Sequence, residues 1–155
     1  MMKKALTILI LCLTFLTNAQ EKIKLPVIVE SNFKNEFKDI KEVNWSIFYR
    51  GKNNDDLRFE AEFLKGNSRL LVSYSDDGNI KAIQKSIAIT SLKDKIKKYL
   101  VDYYSSYQIN EASLIVKQFE KTYYDVGVSD ATNYFILVFD GEGNYLYLTA
   151  LSNRL

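Results

Sequence analysis

The chain contains no histidine, one cysteine and one proline in 155 residues. Without histidine it lacks the commonest general base and the commonest metal ligand. Neither a Ser-His-Asp nor a Cys-His catalytic arrangement can be assembled from it. No disulfide can form within the chain, because Cys12 is alone. No apolar run reaches the ~20 residues that a helix needs to span a bilayer. The longest, Ala5 to Leu16, follows Lys3 and Lys4 and precedes the small-residue stretch Thr17-Asn18-Ala19. That order predicts a secretory signal peptide over residues 1–19, cleaved after Ala19, and so no lasting membrane anchor. Cys12 raises a lipoprotein alternative, but Ile10 and Leu11 stand where lipidation needs small residues.

Losing the signal peptide takes Lys3 and Lys4 away, which brings the 21 basic side chains level with the 19 acidic ones. A secreted or periplasmic protein of zero net charge is ill suited to nucleic acid, whose affinity comes largely from phosphate neutralisation. The 136 residues that remain of 155 suit one compact domain or two very small ones.

Hydrophobic spacing organises those residues. Pro26 precedes Ile28, Val29, Phe33 and Phe37 at helical intervals, which predicts a helix over 26–37. The period then changes to two. Val43, Trp45, Ile47 and Tyr49 alternate with polar residues, as do Leu57, Phe59, Ala61 and Phe63. Two more strands follow, over 69–74 and 80–89, on either side of the turn Asp76-Asp77-Gly78-Asn79. Ser91 and Asp94 then have the spacing of a capping box, opening a second helix over 92–104 with the stripe Leu92, Ile96, Tyr99, Leu100 and Tyr103. Strands are expected at 113–120, 122–129, 133–140 and 144–150. Gly78-Asn79 and Gly143-Asn144 lie 65 positions apart at matching places. The predicted fold is therefore α+β: two tandem α-β-β-β-β repeats, at 20–89 and 90–155, each a helix on a four-stranded antiparallel sheet.

Several short motifs carry a family resemblance. They are Leu25-Pro26, Phe33-x-x-x-Phe37, Val43-Asn44-Trp45, Phe59-Glu60-Ala61-Glu62-Phe63 and the run from Val72 to Asn79. With them the chain resembles the beta-lactamase-inhibitor-like, PepSY-like proteins secreted by Bacteroidetes-type bacteria. The second helix departs from the pattern, with Leu92-Lys93 in place of Leu-Pro, and the second copy lacks the tryptophan strand. The resemblance implies a duplicated helix-on-sheet unit whose sheets can join. It also implies a role in binding or inhibiting an enzyme, whether a beta-lactamase or a protease. Function carried from fold is an analogy.

As calcium loops, YSDDGNI and FDGEGNY fail on ligand position. With Gly78 or Gly143 at the sixth place, the twelfth is Gln84 or Thr149 instead of glutamate, and the second loop would begin at Val138. Hairpin turns explain both. Glu60 and Glu62 are the best carboxylate pair for hydrolysis, but Arg58 shares their face and suggests a solvated charge ladder. The lysines of the second helix read as a solvated face. Folding the last hairpin about residues 140–143 opposes Phe139 to Asn144 and Leu137 to Leu146. That register groups Tyr134, Ile136, Val138, Tyr145 and Tyr147 on one face, with Tyr124 and Val126 beside them. Tyrosine joins an apolar body to a wettable hydroxyl, which suits a binding surface.

The sequence thus predicts a non-catalytic protein- or peptide-binding module without cofactor or metal. Its expected partner-binding residues are Tyr124, Tyr134, Ile136, Tyr145 and Tyr147. The alternatives are a small-ligand or envelope-stress sensor and a hydrolase using Glu60 and Glu62.

Overall fold

The computed structural model describes residues 23–50 and 56–150. The predicted signal peptide, with Cys12, lies outside the described residues. Among those residues no helix is long and apolar enough to cross a membrane.

Helix α1 (Val27–Glu36) starts after Pro26, whose φ of −58° is the value the pyrrolidine ring imposes. The Pro26 carbonyl accepts the Glu30 N–H at 3.1 Å. Val29 and Phe33 point inward, and Phe37 is buried just past the last turn. Four strands follow: β1 (Asn44–Arg50), β2 (Asp56–Lys65), β3 (Ser68–Ser75) and β4 (Ile80–Ile87). Helix α2 (Asp94–Tyr104) comes next. Then come β5 (Gln108–Lys117), β6 (Thr122–Ser129), β7 (Tyr134–Asp140) and β8 (Tyr145–Ala150).

Two local expectations are corrected. The capping box does not form: Ser91 closes a short 3-10 turn, donating its N–H to the Ala88 carbonyl at 2.9 Å. Leu92 is left extended and Lys93 occupies the cap without a side-chain bond. Strand β5 also begins at Gln108, well before residue 113. Polar Gln108, Asn110 and Glu111 hide its alternation, and a register shift between Ile109 and Glu111 breaks the period.

All eight strands form one antiparallel sheet in sequence order, β1 through β8. The two expected four-stranded sheets are continuous because β4 pairs with β5, Ile83 opposite Val116 and Ile87 opposite Ala112. The fold is mainly β, with two helices on one face. Register shows why that face is shared. Val72 opposes Ile83 under α1, and on the same side of β4 Ile87 opposes Ala112, which opposes Val126 under α2. The core accordingly has two clusters. One gathers Val29, Phe33, Phe37, Phe59, Ala61, Phe63, Leu70, Val72 and Tyr74. The other gathers Leu92, Ile96, Leu100, Ala112, Val126, Val128, Leu137 and Phe139. In the first half, Leu70 and Val72 face the helix and Leu71 faces away.

YSDDGNI and FDGEGNY are hairpin turns. Gly78 and Gly143 have φ of +82° and +84°, a region favoured by glycine. In each turn an aspartate is occupied by local donors. Asp77 accepts the Asn79 N–H at 3.1 Å and side-chain amide at 2.8 Å. Asp140 accepts the Glu142 and Asn144 N–H groups at 2.9 and 2.8 Å, and the Asn144 amide at 2.8 Å. The Ser75 hydroxyl also donates to Asp77 and is the largest cause that holds its carboxyl down, at about 2, with the Asn79 bonds adding to it. The Asn144 bonds hold Asp140 below the usual range.

Candidate functional site

With both helices on one face, the other face of the sheet carries the candidate site. Alternation along a strand sends every second side chain there, and the pairing decides which. The expected hairpin register is corrected here. Val138 opposes Tyr147, but the next residue, Phe139, opposes Tyr145. Leu146 is therefore an extra residue on β8, a bulge that switches the side-chain faces on either side of it. Tyr134, Ile136, Val138 and Tyr147 remain on the helix-free face. Tyr145 moves to the helix side, where its ring stacks on Tyr99 at 4.9 Å and 11°. Tyr124 and Val126 are on the helix side too, opposite Phe139 and Leu137, and Val126 is fully buried.

The helix-free face curves into a trough of about 600 Å³ lined by residues of β2 to β8. Ile136, Val138 and Tyr147 form its apolar side, toward β7 and β8. Arg58, Lys81 and Lys117 line the part built by β2, β4 and β5. Tyr123 joins the two, with the Lys117 ammonium 4.5 Å from its ring centroid. Tyr134 is outside the lining. Its hydroxyl donates to Glu111 Oε1 at 2.6 Å, and it lies across Gly127, where a Cβ would collide with the Tyr134 hydroxyl.

The trough holds more charge than the sequence reading assigned to it. Glu60 is 2% exposed, so the solvated ladder expected around it is corrected: it sits in the trough wall opposite Ser73. Glu62 shares its face but lines a separate hollow beside residues 39–44 and pairs with Arg69 at 3.2 Å. The two glutamates thus do not flank one cleft. Arg58 pairs through Nη2 with Asp56, while its buried Nη1 has no hydrogen-bond partner among the described residues. An unpaired buried donor costs about 1–3 kcal/mol. Burial pushes the Asp125 carboxyl up to about 6, with Glu111 adding to the rise and Lys117 opposing it.

Sequence reasoning found Ile136, Val138 and Tyr147 through hairpin alternation. It missed Arg58, Lys81, Lys117, Tyr123 and Asp125 as one site, because four strands contribute them and no local spacing links them. The only signal available was alternation carried across all strands at once.

No protein-family model matches the chain, and no curated protein matches it. Solved structures do. A DUF2874 family protein from Bacteroides uniformis aligns with a TM-score of 0.70 at 13% identity, over 85% of this chain and 94% of that one. A candidate periplasmic protein from Bacteroides eggerthii aligns with a TM-score of 0.71 at 12% identity, over 84% and 92%. A BLIP-like protein from Bacteroides fragilis aligns with a TM-score of 0.65 at 13% identity, over 85% and 90%. At such identities the likeness establishes the fold. It falls on the group of Bacteroides proteins that the sequence motifs resemble.

Proposed function

We propose that this chain is a non-catalytic periplasmic or secreted protein that binds a polypeptide partner in the trough of its helix-free sheet face. An inhibitor of an envelope enzyme is the form this takes by analogy with the fold. The observation that carries the reading is the trough itself. Among the described residues a whole sheet face is left without a covering helix, yet it is concave and joins an apolar side to buried polar groups, as protein-binding surfaces do. The likeness to a BLIP-like protein supports it. The signal-peptide pattern of residues 1–19 and the likeness to a candidate periplasmic protein support the location. Of the residues expected from sequence, Ile136 and Tyr147 are assigned to the contact and Tyr134 to its margin. Tyr124 and Tyr145 support the sheet from behind. Residues 20–89 and 90–155 are read as two copies of one unit, each with a helix, four strands and its own core cluster.

Capture from envelope extract tests the reading. Partners held by the wild type should be lost with Val138→Asp plus Tyr147→Ser and kept with Tyr103→Ser, on the helix side. Retention by the trough variant, once its fold is verified by circular dichroism, would overturn it.

One observation favours a second reading, a small-ligand sensor. The Tyr74 hydroxyl is buried without a hydrogen-bond partner among the described residues, beside a hollow of about 490 Å³ between α1 and the β3–β4 turn. Ligand-dependent thermal shifts lost in Tyr74→Phe would support it.

A further inference from the structure

We infer that the polypeptide segment taken by the trough is extended and presents carboxylate side chains to Arg58, Lys81 and Lys117. The inference rests on the binding role proposed above and specifies its chemistry.

The three cations come from separate strands, β2, β4 and β5, and lie toward one end of the trough. Glu60, Ser73, Ala82 and Lys117 form a continuous row across β2 to β5. Arg58 opposes Ser75 in the next row, toward the same end. Lys81 lies where the β3–β4 register shifts: Ser73 opposes Ala82 while Tyr74 opposes Ile80, so Lys81 is the extra residue between them. That bulge gives adjacent residues, Lys81 and Ala82, a place in the trough lining, which regular alternation would forbid. The sheet thus departs from its own period at the position where a third cation enters.

Two further observations give the cluster its ligand. The Arg58 guanidinium is mostly buried, uses Nη2 on Asp56 and leaves Nη1 without an acceptor among the described residues. A guanidinium donates from several nitrogens in a planar fork that matches a carboxylate. The Lys117 ammonium lies over the Tyr123 ring, a contact that leaves its N–H donors to other partners. The trough's own acids do not remove the need for an external one. Glu60 is already engaged, and Asp125 has its carboxyl pushed up by burial, so it meets Lys117 with weakened charge near pH 6. From the cationic end the trough runs to Ile136, Val138 and Tyr147. A matching segment therefore carries carboxylates at one end and apolar side chains at the other.

The test is an NMR titration of the isotope-labelled protein with two capped octapeptides, one of four glutamates followed by four valines and one of four lysines followed by four valines. The glutamate peptide should shift amides of β2, β4 and β5 around Arg58, Lys81 and Lys117, and bind at least about tenfold more tightly than the lysine peptide. Lys81→Gln and Lys117→Gln should together weaken it by about tenfold or more, while Tyr103→Ser, on the exposed side of α2, leaves it unchanged. The lysine variants keep the test independent of Arg58→Gln, which also breaks the Asp56 pair. Equal or tighter trough binding of the lysine peptide overturns the carboxylate inference and leaves the binding role intact. Absence of trough shifts with the glutamate peptide also overturns it, and capture from extract then decides the binding role separately.

Discussion

The two halves of the sheet solve the same packing problem with different side chains. Under α1 the space is filled by rings. Phe33 meets Phe37 at 5.3 Å, Trp45 at 5.2 Å and Phe63 at 5.3 Å, the last two edge-on. Under α2 it is filled by aliphatic groups, with Ile96, Val126, Val128 and Leu137 fully buried. The second half encloses the ring of Phe139, but its tyrosines collect at the rim. Tyr99 lies at the centre, 4.7 Å from Tyr103, 4.9 Å from Tyr145 and 5.5 Å from Phe139. A phenylalanine can be enclosed without loss, whereas a tyrosine hydroxyl needs a partner or water. The exception proves costly in the first half, where the enclosed Tyr74 hydroxyl has no hydrogen-bond partner among the described residues. One backbone plan therefore accepts an aromatic or an aliphatic filling, and the choice moves the rings between interior and rim.

The contrast can be broken first at its centre. Phe33→Ala should destabilise the protein by about 3–5 kcal/mol in chemical denaturation, while Tyr99→Ala, at the rim, should cost distinctly less. Equal losses would mean that the rim tyrosines are as structural as the buried rings. The two turns offer a second comparison. Gly78→Ala and Gly143→Ala both force a side chain into the left-handed region, at about 1–2 kcal/mol. At Gly78 a Cβ would also lie 2.8 Å from the Asn32 amide and 2.9 Å from Ile28, whereas at Gly143 the nearest atom is Ile96 Cγ1 at 3.2 Å. Gly78→Ala should thus be the worse by about 1 kcal/mol, since overpacking adds to strain.

A third comparison is one of pH. Asp125 has its carboxyl raised, to about 6, so the folded chain binds that proton more tightly than the unfolded chain does. Its contribution is fullest below about pH 4 and is lost as pH rises through 6, on the order of 1–2 kcal/mol. The turn aspartates have the opposite sign. Asp77 and Asp140 are lowered, so their contribution is present above about pH 4 and is lost as pH falls below it, for Asp77 toward about 2. Asp125→Asn should flatten the stability profile between pH 4 and 6 without touching the acid limb. The smallest effect belongs to Tyr134→Phe, which removes the bond to Glu111 and should cost about 0.5–1.5 kcal/mol.

Much of the fold was legible because its periods are clean. Val29, Phe33 and Phe37 marked α1, and Phe59, Ala61 and Phe63 marked the best strand and lie in the core as that alternation requires. The failures have local causes. At Ser91 and Asp94 the right spacing sits one turn too early, because the 3-10 turn uses Ser91. At Leu146 a single extra residue sends Tyr145 to the helices, which no hydrophobic count could register. Leu70-Leu71-Val72 left the first-half faces open, and only pairing to β2 and β4 resolves them. The trough was the least legible part, since its members are far apart in the chain and become neighbours through a sheet continuous across the β4–β5 joint.

That continuous sheet also bears on how the chain folds. Every strand pairs with its immediate successor, and the longest connection, between β4 and β5, holds only α2 and short turns. No pairing has to wait for distant segments to find each other, so the entropy of loop closure is spent in small instalments. Relative contact order, and with it the folding barrier, is kept low for a mainly β protein. Such a meander can grow from any hairpin toward both edges. Refolding should therefore be faster than for a Greek-key sandwich of equal length.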